Sequence, residues 1–132
     1  MNDAVRWEVG AELPARSFGP VTRTILALYA GGSGDHNPIH IDNDFARAAG
    51  QPDVFAHGML SMAYLAQYIS GFVAADRLRS WSVRFTAVTP VNAMVTCSGR
   101  VLSRDGREVT IALMATVDDG AQTVIGEAQL KL

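Results

Sequence analysis

From Val54 to Ala75 the chain runs for 22 residues without an Asp, Glu, Lys or Arg. A run this apolar either crosses a bilayer or is enclosed by the rest of the protein. It also carries His57, Ser61, Gln67, Tyr68, Ser70 and two glycines, which favour enclosure over membrane insertion. The stretch is therefore expected to form an apolar helix from near His57-Gly58 to about Val73, and the remaining chain must cover it.

The C-terminal half supplies that cover. Trp81, Val83 and Phe85 alternate with Ser82, Arg84 and Thr86, the period of a strand with one buried face. Met94 to Ser103 and Glu108 to Val117 flank Arg104-Asp105-Gly106-Arg107, where Asp-Gly signals a tight hairpin. A second turn, Asp118-Asp119-Gly120, leads to a last strand from Thr123 to Leu132. Upstream, Ala15 to Phe18 reads as a short strand closed by Gly19-Pro20. Thr22 can cap a helix carrying Ile25, Leu26, Leu28 and Tyr29, and Asp42 can cap another over Asn43 to Ala49. A helix-rich first half followed by an antiparallel meander is an α+β order, with the apolar helix packed on a curved sheet.

The chain has 132 residues, enough for one domain over 1–132. Its apolar fraction of 48% and charged fraction of 18% suit a globular core. A net charge of −2 and 11 scattered basic residues exclude a nucleic-acid-tracking surface. Cys97 is the single cysteine, which rules out an intrachain disulfide and a cysteine-based zinc site and fits a reducing cytoplasm. The stretch Met1 to Glu8 lacks the basic start and apolar run of a secretory signal.

Chemistry concentrates between the first two helices. Gly34 to His40 reads as a fixed, irregular loop, because Pro38 lacks an amide proton and biases Asn37 away from helical geometry. Asp35 and His40 flank that proline, and a carboxylate and an imidazole converging on one water suit acid–base work near neutral pH. Three other readings fit the same residues. Asp35 and Asn37 can serve only as turn formers. His36 and His40, with Asp35 or Asp42, have metal-like spacing, but Pro38 breaks the helix that would make it useful. Ser33, Asp35 and His40 could form a nucleophilic triad, but Ser33 lacks the Gly-x-Ser-x-Gly elbow.

The pattern Tyr29-x-x-Gly32-Ser33-Gly34-Asp35-x-Asn37-Pro38-Ile39-His40-x5-Ala46 resembles the hydratase 2 motif of the MaoC-like family of (R)-specific enoyl thioester hydratases and dehydratases. Phe55-Ala56-His57-Gly58-Met59-Leu60 is similar to the family's second block, and Arg84-Phe85 leading to Pro90-Val91 extends the likeness over nearly the whole chain. It is nearest the short single-domain members, such as the catalytic beta subunits of mycobacterial 3-hydroxyacyl-carrier-protein dehydratase.

The resemblance implies a hot dog fold, an antiparallel sheet wrapped around one long apolar helix, in subunits that pair through their sheets. It implies that Asp35 and His40 hold the water added to C3 of a trans-2-enoyl thioester, without metal or cofactor. Gly58 would offer its backbone N–H to the thioester carbonyl, having no side chain to obstruct the approach. Asn37 and Ser33 would shape the loop, together with Tyr29. Ala66 and Ile69 would line the acyl tunnel, and His57 is expected to be structural. Implied partners are an acyl-CoA or acyl-carrier-protein substrate and a second subunit, as a homodimer, a higher oligomer or a heterodimer with a related chain. A nonenzymatic acyl-binding module and a thioesterase are the rival functions.

Overall fold

The computed structural model describes residues 5–132; Met1 to Ala4, half of the stretch read above for a secretion signal, lie outside the described residues. The alternating segments pair into one antiparallel sheet of β1 (Glu12–Phe18), β2 (Leu78–Phe85), β3 (Val95–Asp105), β4 (Glu108–Thr116) and β5 (Gln122–Lys131), in the order β1-β3-β4-β5-β2. Period-2 alternation is clearest in β4, where Val109, Ile111, Leu113 and Ala115 are buried and the residues between them are not. The expected Asp-Gly hairpin closes β3 onto β4, with Asp105 opposite Glu108.

One face of the sheet holds α3 (Gly58–Ser70), whose Leu60, Leu65, Tyr68 and Ile69 join Val95, Cys97 and Val101 of β3 and Ile111 and Leu113 of β4 in a single core. Leu65 is fully buried there, and its truncation to Ala would cost about 2–5 kcal/mol. A helix on the face of an antiparallel sheet is the hot dog arrangement implied by the motif.

The helix is shorter than the apolar run suggested. It has 13 residues and ends at Ser70, three residues before Val73, with Gly71 as its cap. Phe72 and Val73 continue into the core as non-helical chain, 7% and 6% exposed, so hydrophobicity outlasts helical geometry. At 1.5 Å per residue α3 spans roughly 20 Å, short of the ~30 Å hydrocarbon thickness. No helix among the described residues is long and apolar enough to cross a membrane.

Two strands also depart from expectation. β1 begins at Glu12 rather than Ala15, because a register shift between Leu13 and Arg16 breaks the alternation that would reveal it. Leu13 and Phe18 are an odd number of residues apart, and the shift lets both point inward. In β2, Trp81 and Val83 pack on the core, but Phe85 is 48% exposed, since β2 is a sheet edge and its end leaves the core. β2 and β5 approach closely at Gly126, where a Cβ would lie 2.2 Å from the Ser82 carbonyl oxygen.

Ahead of α3 in the chain come α1 (Arg23–Ser33) and α2 (Asn43–Ala48), which both contact the turn that joins them. Thr22 Oγ1 accepts the Ile25 N–H at 3.2 Å, and Asp42 Oδ1 accepts those of Asp44 and Phe45 at 2.9 and 3.3 Å, so both expected caps form. Between the helices, Pro38 opens a single 3-10 turn, Pro38–His40. The segment is therefore more regular than an irregular loop: proline cannot continue a helix from upstream but suits its first position.

Candidate active site

The loop after α1 is held by a relay of side chains onto backbone. Gly34, at φ +78°, ends α1 and turns the chain toward Asp35. Ser33 Oγ accepts the Asp35 N–H at 3.2 Å, Asp35 Oδ1 accepts the Asn37 N–H at 3.2 Å, and Asn37 Oδ1 accepts the Ile39 N–H at 3.1 Å. Ser33 and Asn37 thus each accept a backbone N–H within the loop. Asp35 is a turn former through Oδ1, and that does not preclude chemistry, because the carboxylate remains exposed.

The 3-10 turn carries His40 inward, leaving it 8% exposed. Its Nδ1–H donates to the Phe55 carbonyl at 2.8 Å, and the Phe55 ring meets it edge-on with centroids 5.2 Å apart. A carbonyl can only accept, so Nδ1 carries the proton and Nε2 is left to exchange one.

His57, expected to be structural, stacks its ring on that of His40 with centroids 3.9 Å apart and planes 26° from parallel. Its Nε2 lies 3.1 Å from the Asp35 carbonyl oxygen. One coordinating atom each from Asp35, His40 and His57 falls within 4.8 Å of the others, whereas His36 does not join them. The available signal was an imidazole interrupting an apolar run immediately before Gly58.

Electrostatics follow from burial. The His57 imidazole titrates below its usual range chiefly because desolvation penalises its charged form; the Asp35 carbonyl opposes this shift and nearby His40 adds to it. The Tyr29 hydroxyl is pushed up by burial and, secondarily, by the Asp35 carboxylate; its ring lies 4.7 Å from that of His57.

Gly58 opens α3, where the helix itself supplies no acceptor for the first N–H groups. A Cβ there would meet the Phe85 ring at 3.2 Å, so the missing side chain also makes room for Phe85. Beside it is a cavity of about 370 Å³ whose lining includes Phe55, Gly58, Ser61, Phe85, Val88 and Thr89. Ala66, half-buried, and Ile69, 3% exposed, lie farther along α3 and do not line this cavity.

Known proteins share this architecture. The MaoC like domain matches residues 6–121. The chain is 33% identical over 123 residues to fatty acid synthase subunit beta of Saccharomyces cerevisiae, covering 90% of this chain and 6% of that protein. It is 38% identical over 97 residues to 3-hydroxyacyl-thioester dehydratase X of Mycobacterium tuberculosis, covering 72% of this chain and 33% of that protein. The chain thus spans a third or less of these two relatives' lengths. Among solved structures, unliganded R-hydratase PhaJ1 from Pseudomonas aeruginosa superposes with a TM-score of 0.83 at 28% identity, covering 94% of this chain and 81% of that one. With the domain match running over most of its length, the chain belongs to the MaoC-like dehydratase family.

Proposed function

We propose that the chain is a hydro-lyase that adds water to trans-2-enoyl thioesters with (R) stereochemistry and removes it from (3R)-hydroxyacyl thioesters. The observation that carries this reading is the approach of the Asp35 and His40 coordinating atoms to within 4.8 Å. Two hydrogen bonds of ~2.8 Å meeting at one water oxygen span roughly 4.5 Å. In hydration, His40 Nε2 takes a proton from a water also held by the Asp35 carboxylate, and the oxygen attacks C3. Passing that proton on to C2 completes the addition of one water and returns His40 to its starting state, and dehydration reverses each step. Negative charge develops on the thioester carbonyl, and the Gly58 N–H at the positive end of α3 is the assigned donor to it.

The relatives named as an R-hydratase and a 3-hydroxyacyl-thioester dehydratase support this chemistry. The acyl carrier is coenzyme A or acyl carrier protein. Chain-length selection is assigned to Ala66 and Ile69. The exposed apolar side chains Met59, Phe85 and Val88, with β2 at a sheet edge, support pairing with a second subunit, either another copy or a related chain.

The test supplies a short and a long trans-2-enoyl-CoA, follows loss of the conjugated thioester's absorbance, and determines product chirality. Turnover to the (3R)-hydroxyacyl product is expected. Loss of neither substrate, or release of free thiol without hydration, would overturn the reading.

A further inference from the structure

The acid–base chemistry uses Asp35 and His40, but among the hydrogen bonds of the described residues none joins their side chains. The group that touches both is His57. It is 1% exposed, its Nε2 lies 3.1 Å from the Asp35 carbonyl oxygen, and its ring covers that of His40 at 3.9 Å. Because the carbonyl can only accept, Nε2 carries a proton, and a neutral ring then leaves Nδ1 bare. That Nδ1 is buried and has no hydrogen-bond partner among the described residues. A second proton would put a cation where no acceptor meets it, face to face with the imidazole that must itself accept a proton.

A packing role alone does not account for these contacts. His57 occupies the residue before α3, where Ser, Thr, Asp or Asn usually caps the helix, but its side chain makes no capping bond. An apolar ring would fill the same volume without burying an unpaired nitrogen. The imidazole is directed instead at the two catalytic groups.

We infer that His57 is a positioning residue, resting on the hydration chemistry proposed above: its Nε2–H ties down the main chain of Asp35 while its face sets the plane of His40. Asp35 precedes the 3-10 turn that ends in His40, so a small rotation of that turn would separate carboxylate from imidazole. His57 opposes that rotation from the start of α3, the helix that also presents Gly58. It thereby holds all three catalytic groups in one frame. Its neutrality belongs to the same role, since His40 can take up a proton against an uncharged neighbour. The titratable groups facing His57 are Tyr29 of α1, Asp35 of the loop and His40 of the turn.

The test compares His57→Phe, which keeps a ring but not the donor, with His57→Gln, which keeps a donor able to reach the Asp35 carbonyl. With trans-2-enoyl-CoA, His57→Phe is expected to lower kcat by about 100-fold, the scale of a small misplacement of reacting groups, with little change in KM. His57→Gln should recover part of that loss. A folded His57→Phe with wild-type kcat, or a defect confined to KM, would overturn the inference. Asp35→Asn and His40→Ala, assayed alongside, separate the two claims. If they abolish turnover while His57→Phe retains it, only the positioning role fails; an inactive wild type fails the hydration reading. ¹⁵N spectra of the imidazoles read the positioning without turnover and without a variant that must fold. They should show His57 as the neutral Nε2–H tautomer at neutral pH, and a His57 that is protonated there, or that carries its proton on Nδ1, would overturn the inference.

Discussion

A Cβ on Gly58 would stand 3.2 Å from the Phe85 ring, so the first residue of α3 and the last residue of β2 share one space beside the cavity. Phe85 is half-exposed and can yield, and alanine favours a helix by ~1 kcal/mol over glycine. Gly58→Ala should therefore leave stability within about 1 kcal/mol of wild type in urea unfolding. It should nevertheless lower kcat/KM, because the displaced ring moves within the cavity. Combining it with Phe85→Leu should restore part of the activity; additive losses would show that the two residues are not coupled.

Asp35→Asn separates the two roles of this residue. An amide oxygen can still accept the Asn37 N–H, so the turn and the melting temperature should be preserved. Enoyl thioester hydration should fall by about 10²- to 10⁴-fold, as for loss of a general acid or base. His40→Ala should show a comparable loss, and substantial turnover in either would refute the assigned pair.

Stability should depend on pH through His57. Its folded-state pKa is depressed, so at neutral pH both folded and unfolded rings are uncharged and the group contributes no pH slope. As pH falls below about 6.5, the unfolded chain takes a proton that the folded ring refuses. Stability then declines by at most ~1.4 kcal/mol per pH unit until pH reaches the lowered folded value. Urea midpoints of wild type and His57→Phe, compared from pH 8 downward, should show a shallower acid-side decline in the variant.

Cys97 is fully buried in β3, and burial pushes its thiol up to about 12. The thiolate is the reactive form, so a thiol reagent at neutral pH should leave the native protein unmodified and label one site once denaturant is added. Rapid labelling without denaturant would show that the core around β3 opens readily.

Ala66→Trp tests the acyl-length assignment. Bulk at this half-buried position on α3 should shift preference toward shorter enoyl chains, read as relative kcat/KM across a chain-length series. Unchanged ratios would move selection to the cavity lined by Ser61, Phe85 and Val88.

Much of this architecture was legible in local pattern. The alternation along β4, the caps at Thr22 and Asp42, and the Asp-Gly hairpin each depend on residues a few positions apart, where backbone geometry is set by neighbours. What local pattern blurred were the ends. The register shift hid the start of β1, and Phe72 and Val73 stayed apolar after α3 had stopped, because burial and helical geometry are separate demands. Phe85 looked like a core residue by its period, although its strand end projects past the core.

The loop from Ser33 to His40 declared its chemical character in its composition: a carboxylate, an imidazole and a proline close together read as turn, acid–base pair, ligand set or, with Ser33, nucleophilic triad. Choosing among these depended on groups distant in the chain. The Phe55 carbonyl selects which nitrogen of His40 is free, and His57, 22 residues beyond Asp35, lies against the Asp35 main chain and the His40 ring, with its charged form disfavoured by burial. Hydrogen-bond partners and desolvation are properties of the space around a group. They existed only once the sheet had folded over α3 and brought its first turn against the loop.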